Sequence, residues 1–333
     1  MAETTQPILR VINGNVCSTQ VAGYAKVLLC LLAGAASIAR SQQPNRLPEV
    51  VIEAPEPKFV APTRRDKIGR IWAPVLINGK GPFRLVLDTG ASRSAINEHV
   101  AEALGIEPDQ SQKVLLRGVT GIVLVPTIHV ESFAVGDVIL APATLPIVAD
   151  PLGGADGILG TEGFADKRIY IDFKHDSITI AHSNGGRAHL GFVSIPFERS
   201  PAGLLAVRAQ VAGVRVRAIF DTGGQSTIGN EAMREVLVRR HAHGIETRVT
   251  DVTTTEQAGK IFRSPTIQLG SIEIENPRIT YGDMHIFEHW HLTKEPVVLI
   301  GMDVIGLLDT FIIDYRLREV LLRMSARVTP APW

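Results

Sequence analysis

The sequence predicts a mostly β protein built as two copies of one lobe related by a pseudo-twofold axis, on three observations. The 333 residues are 45% hydrophobic and 20% charged, the balance of packed globular material, and the length suits about two domains. Thirty glycines and twenty prolines beside only 5% aromatic residues point to turns and short strands. The chain also repeats itself. Phe83-Arg84-Leu85-Val86-Leu87-Asp88-Thr89-Gly90-Ala91 recurs as Val216-Arg217-Ala218-Ile219-Phe220-Asp221-Thr222-Gly223-Gly224, a spacing of 133, and Asn97-Glu98 recurs as Asn230-Glu231 at the same spacing. In the same order follow Val125-Pro126-Thr127-Ile128 with Ser264-Pro265-Thr266-Ile267, then Ile158-Leu159-Gly160 with Leu299-Ile300-Gly301. Tyr170-Ile171-Asp172-Phe173 and Ile312-Ile313-Asp314-Tyr315 complete the series. Self-similarity of this kind marks a duplicated structural unit.

From the N-terminus, Lys26 precedes the uncharged run Val27–Ala39 (VLLCLLAGAASIA), which ends in small residues. It is shorter than the ~20 apolar residues a membrane span needs and has the form of a signal-peptide core. Residues 1–39 are therefore expected to be a signal peptide, or a signal anchor if Val21–Ala25 insert as well. The product would be exported, either periplasmic or anchored to the membrane facing the extracytoplasmic side. Residues 40–56 form a proline-rich linker that would act as an extended tether. Lobe one follows at 57–183, a short linker at 184–191, lobe two at 192–326 and a tail at 327–333.

Within the lobes, apolar runs rich in Val, Ile and Leu are broken by Asn78-Gly79, Gly136-Asp137 and Asn184-Gly185-Gly186, which read as turns between strands. Helical spacing occurs once per lobe. Ile96, Val100 and Leu104 recur at four-residue steps and Gly105 ends the run. In lobe two, Met233, Val236 and Leu237 precede Arg239 and Arg240, which suit a helix C-terminus.

Composition removes several chemistries. With 34 basic against 34 acidic residues and no dense basic patch, nothing draws the chain to nucleic acid. Both cysteines, Cys17 and Cys30, lie near the N-terminus, so the lobes hold neither a disulfide framework nor a thiolate metal site. No G-x-S-x-G nucleophile motif occurs, and neither Gly153-Gly154 nor Gly185-Gly186 opens a phosphate-binding loop.

The duplicated Asp-Thr-Gly supplies a chemistry of its own. Each places a carboxylate at a strand's end on a tight turn whose glycine permits close backbone approach. Two such turns brought together by the pseudo-twofold axis hold two carboxylates that cannot both ionise and so share one proton. One is then a general base toward water while the protonated one polarises a carbonyl oxygen. Asp172 and Asp314 also repeat, but late in each lobe, where a turn or strand-edge role is expected.

Leu85-Val86-Leu87-Asp88-Thr89-Gly90-Ala91-Ser92 and Ala218-Ile219-Phe220-Asp221-Thr222-Gly223-Gly224, each followed by an apolar-apolar-Gly block, resemble the aspartic proteases. The resemblance is to retropepsin-type bacterial aspartyl proteases with two lobes fused in one chain. It implies two β-barrel lobes with a cleft between them, Asp88 and Asp221 as the catalytic pair, and no cofactor or metal. It also implies that Thr89 and Thr222 cross-link the lobes through hydroxyl-to-backbone bonds, with Gly90 and Gly223 completing the turns. Gly160 and Gly301 would close the loop behind each aspartate. Such an enzyme would act as a monomeric endopeptidase on extended peptides or protein segments, and export would direct it to ectodomains.

The same resemblance implies a flap hairpin from each lobe. Gly118, Val119, Thr120 and Gly121 lie at the matching place in lobe one, and Gln257, Ala258 and Gly259 are the corresponding glycine-bearing stretch in lobe two. Neither flap carries the tyrosine of pepsin-like enzymes. Ala91 and Gly224 also stand where those enzymes have a hydroxyl donating to the outer carboxylate oxygen. Without that donor the shared proton should persist to higher pH, which places activity in the mildly acidic to near-neutral range. Two other readings compete: a peptide-binding protein that has lost hydrolysis, and a zinc enzyme using His285, Glu288 and His289, which match H-x-x-E-H. The zinc motif lacks the further acidic ligand on a separate downstream helix, so an exposed loop beside the cleft, with Trp290 near substrate, is expected there.

Overall fold

The computed structural model describes residues 8–11, 58–62, 69–135, 138–139, 142–149, 153–186, 190–199, 203–238 and 243–324, all within one compact unit. The run Val27–Ala39, both cysteines, the linker 40–56, Gly136-Asp137, Arg239, Arg240 and the tail 327–333 lie outside the described residues.

Among the described residues the strands form a nine-stranded sheet in lobe one, an eleven-stranded sheet in lobe two and a six-stranded sheet between them. Each lobe presents its aspartate on the second strand of a tight hairpin. In lobe one Trp72–Ile77 pairs with Lys80–Leu87 around Asn78-Gly79. The φ values of 51° and 72° are the left-handed pair such two-residue turns require. Lobe two repeats this with Leu205–Val211 and Val214–Phe220 around Ala212-Gly213, at φ 48° and 80°. The apolar-apolar-Gly blocks then run parallel to the aspartate strands: Gly157–Leu159 beside Leu85–Leu87, and Val297–Ile300 beside Arg217–Phe220.

Alternation along the aspartate strand separates two apolar environments. Leu85 and Leu87 point into the main core, while Val86 points the other way into a smaller cluster with Ala95, Val148, Ala155 and Ile158. Ala218 and Phe220 likewise face the main core, and Ile219 faces a second small cluster. Because side chains two apart share a strand face, Val86 and Asp88 project to one side, as do Ile219 and Asp221.

Both predicted helices form. Asn97 caps Glu98–Leu104 by accepting the Val100 N–H at 3.2 Å, and Gly105 ends it at φ 73°. Val100 and Leu104 are buried, whereas Ile96 belongs to the strand just before the helix. Asn230 caps Glu231–Leu237 through the Met233 N–H at 2.9 Å. Met233 is buried there, but Val236 points to solvent.

The six-stranded sheet ties the lobes together. Lys167–Asp172 pairs antiparallel with Thr310–Asp314, so the strands that carry the repeated Tyr-Ile-Asp-Phe and Ile-Ile-Asp-Tyr segments are neighbours, the two segments meeting where Tyr170 lies opposite Ile312. Their aspartates secure turns, as expected. Asp172 accepts the Lys174 and His175 N–H groups at 3.0 Å, and buried Asp314 accepts the Leu317 N–H at 2.9 Å and the Ser183 hydroxyl at 2.7 Å. At the edge of the lobe-two sheet, Ile8–Val11 pairs antiparallel with Ile272–Glu275. No helix among the described residues is long and apolar enough to cross a membrane.

Candidate active site

The parallel neighbours pin the chain where each aspartate strand ends: the Asp88 N–H donates to Leu159 O and the Asp221 N–H to Ile300 O, both at 3.0 Å. The turns that follow fold back on the carboxylates. Asp88 Oδ1 accepts the Gly90 N–H at 2.8 Å and the Ala91 N–H at 3.1 Å. Asp221 Oδ1 accepts the Gly223 N–H at 3.1 Å and the Gly224 N–H at 2.9 Å. The two carboxyl groups converge: a Cβ at Gly90 would lie 3.0 Å from Asp221 Oδ1 and 3.2 Å from Asp88 Oδ1. Gly223 lies so close that a Cβ there would overlap the Asp88 carboxyl.

Beneath the carboxyls the threonines exchange places. The Thr89 N–H donates to Thr222 Oγ1 and the Thr222 N–H to Thr89 Oγ1, both at 3.1 Å. Each hydroxyl then donates across the lobe boundary, Thr89 to Phe220 O and Thr222 to Leu87 O, both at 2.7 Å. Both residues are buried, so every one of these donors needs its partner. Behind the turns, the Gly160 N–H donates to Ser94 Oγ at 3.0 Å and the Gly301 N–H to Thr227 Oγ1 at 3.3 Å.

Burial, and next the charge of Asp221, push the Asp88 carboxyl up to about 8 against the opposing N–H bonds of Gly90 and Ala91. Burial also raises Asp221, opposed by the Gly224 and Gly223 N–H groups, the hydrogen bond from Asp88 and the positive charge of Arg70. Two carboxyls so placed titrate as one system. Arg70, only 7% exposed, is a site residue that sequence reasoning missed. Nothing in the repeat points to it, because lobe two has the apolar Leu204 at the corresponding place one residue before its first hairpin strand continues.

Flap hairpins rise from both lobes, Asp109–Arg117 with Ile122–Val130 and Ile245–Thr250 with Glu256–Arg263. Gly118, Val119, Thr120 and Gly121 form the lobe-one tip, closed by the Gly118 N–H on Gly121 O at 2.9 Å. In lobe two, Gln257, Ala258 and Gly259 lie in the flap hairpin but on its returning strand, opposite Val249, Arg248 and Thr247. The tip is Asp251–Thr255. It turns on a side chain, with Asp251 Oδ1 accepting the Thr253 N–H at 2.7 Å and the Thr253 hydroxyl at 2.6 Å. An Asp-x-Thr turn of this kind replaces the glycines that would have marked it. Gln257 instead braces the hairpin, its amide donating to Asp283 O at 2.7 Å and its carbonyl accepting the His285 N–H at 3.1 Å.

That brace leads to a short helix, His285–His289, where an exposed loop was expected. Ile286 and Phe287 are buried in the second small cluster and Trp290 packs against it, which gives the segment an apolar side to fold onto. Burial, then the charges of Arg117, His285 and His291, lower His289. Among the described residues no group of three or more His, Cys, Asp or Glu side chains is arranged to hold a metal ion. His285 and Glu288 make only a 3.9 Å contact.

The sequence pattern of the family described as aspartyl protease matches residues 73–162 and 207–304, once in each lobe and each time across an Asp-Thr-Gly turn. The chain belongs to the aspartyl protease family. No curated protein matches it. Among solved structures it is similar to a retropepsin-like aspartic protease from Rickettsia conorii, with 17% identity over 38% of this chain and 91% of that one, at a TM-score of 0.29. It is also similar to Basic 7S globulin from soybean, with 10% identity over 82% of this chain and 98% of that one, at a TM-score of 0.43.

Proposed function

We propose that this aspartic protease is an endopeptidase that hydrolyses peptide bonds within extended protein segments, using a water activated between Asp88 and Asp221. The carrying observation is the pair itself: two converging carboxyls, each held by two N–H groups of its own turn, beneath flaps supplied by both lobes. The pair holds one proton, and Arg70 favours leaving the negative charge on Asp221. Asp221 takes a proton from the water as its oxygen attacks the scissile carbonyl carbon, and Asp88 gives its proton to the carbonyl oxygen. The tetrahedral gem-diol collapses as Asp88 takes back a proton from one of its hydroxyls, the C–N bond breaks and the leaving nitrogen takes up the proton from Asp221, which restores the one-proton pair. The hairpin strands above and the aspartate turns below suit a peptide held by strand addition. One chain supplies both aspartates, so a monomer suffices.

Export, or attachment to the membrane on the extracytoplasmic side, is proposed on the apolar run Val27–Ala39, and ectodomain substrates follow from that location. A leader removed after Ala39 would take Ile8–Val11 away from Ile272–Glu275. N-terminal sequencing of the mature chain after cell fractionation decides its fate.

The deciding assay compares wild type with Asp88→Asn on a peptide library from pH 3 to 8, with and without chelator. Cleavage by the wild type alone, indifferent to chelator, is expected. A wild type that cleaves nothing across this range sinks the endopeptidase reading, and cleavage abolished by chelator shifts it to a metal enzyme.

A further inference from the structure

The flap tips are joined to each other, and the joint is one-sided. Val119 and Val252 occupy corresponding positions, as do Thr120 and Thr253, but the residue before each valine is Gly118 in lobe one and Asp251 in lobe two. Asp251 Oδ2 accepts the Thr120 N–H at 2.8 Å. The Thr120 hydroxyl donates to Thr255 O at 2.7 Å and lies 3.5 Å from the Thr253 hydroxyl. Both threonines are buried. A Cβ at Gly118 would overlap the Asp251 carboxylate, so the glycine of one tip makes room for the carboxylate of the other.

The tips also cross over. Val119, from the lobe-one flap, packs on the lobe-two cluster that contains Ala206, Ile219 and Ile228, and its carbonyl accepts the Ile286 N–H at 3.2 Å. Val252, from the lobe-two flap, packs on the lobe-one cluster of Val86, Ala95 and Ile158. Val86 and Ile219 share their strand faces with Asp88 and Asp221, so each valine covers the apolar surface beside one aspartate. Side chains flanking a scissile bond held at the aspartates need that same surface.

We propose that Asp251 is a flap-positioning latch that holds Val119 and Val252 over the two apolar surfaces beside the aspartates, and that its release from Thr120 admits substrate. The inference rests on the peptidase reading and adds to it a closed resting state in which the tips compete with the peptide. When only a fraction of molecules is open, apparent affinity falls by that fraction. Loosening the latch therefore tightens apparent substrate binding without touching the reacting groups.

The test uses Asp251→Asn, which keeps Oδ1 as acceptor for the Thr253 turn but offers Thr120 an NH2 group where the second carboxylate oxygen was. Hydrogen exchange at the Thr120 amide, measured in an Asp88→Asn background so that no turnover intervenes, should speed up by about tenfold or more while the Thr89 and Thr222 amides stay unchanged. With Asp88 intact, KM for a peptide substrate should fall by about tenfold with kcat within about threefold. Gly118→Ala, which displaces the carboxylate from the opposite side, should give the same two results, and the double variant should add nothing. An unchanged Thr120 exchange rate overturns the latch, whether or not the wild type cleaves peptides. Faster exchange with KM unchanged or raised overturns its role in admitting substrate. A wild type that cleaves nothing while exchange still responds counts against the peptidase reading and leaves the latch standing.

Discussion

Beneath the aspartates the two lobes are mirror partners, with Thr89 and Thr222 trading equal hydrogen bonds of 3.1 Å and 2.7 Å. Above them, where Thr120 meets Thr253, the exchange is unequal: the bond from the Thr120 N–H to Asp251 has no return, because lobe one offers Gly118 at that position. Side connections differ as well, since lobe two inserts the helix His285–His289 before its Val297–Ile300 strand while lobe one shows none among the described residues between Val148 and Gly157. The base positions two identical reacting groups and tolerates little divergence. The roof and walls meet a peptide, whose two ends differ, and can diverge freely.

The largest expected effect tests the symmetric base. Asp88→Asn and Asp221→Asn should each lower kcat on a peptide by about 10²–10⁴-fold with the far-ultraviolet circular dichroism unchanged, and a variant retaining a tenth of wild-type activity would break the equivalence of the lobes. Gly223→Ala and Gly90→Ala sharpen it, because a Cβ overlaps the Asp88 carboxyl in the first and lies 3.0 Å from Asp221 Oδ1 in the second. The Gly223 variant should lose more activity, and equal losses would contradict the geometry. Next come Thr89→Val and Thr222→Val, each of which removes a buried hydroxyl and orphans the partner's N–H. Each should cost about 1–3 kcal/mol in denaturant unfolding, by similar amounts in the two lobes.

The smallest effect is a pH slope. A carboxyl whose folded pKa is raised binds more protons folded than unfolded, so its contribution is present below the unfolded value near 3.8 and is lost as pH rises through about 8. Thermal stability should therefore decline over that interval, less steeply in Asp88→Asn. Equal slopes in the two proteins would mean that Asp88 does not carry the proton.

Much of the site was legible because it is local and repeated: Asp-Thr-Gly, the helix caps at Asn97 and Asn230, and the turn Asn78-Gly79 each announce themselves within a few residues. Features made by pairing distant segments were not. Tyr170–Phe173 and Ile312–Tyr315 could be read as repeats, but that their strands pair, meeting at Tyr170 and Ile312, follows only once the lobes are folded. Gly259 marks the lobe-two flap but not its tip, because Asp251 and Thr253 build the turn from side-chain bonds instead of glycine. Arg70 stayed hidden for a related reason. Its effect on Asp221 crosses from one lobe to the other, and its counterpart Leu204 breaks the repeat that marks the rest of the site.

The Gly118–Asp251 contact has a consequence for how such a molecule can change over generations. In an assembly of two identical chains, every substitution at a flap tip is made twice and meets itself across the axis. Two glycines there supply no carboxylate, and two aspartates would bring a second side chain and a second charge into space that admits neither. A lock with distinct halves is open only to a protein whose halves are encoded separately, so duplication within one chain gives each tip its own hereditary freedom.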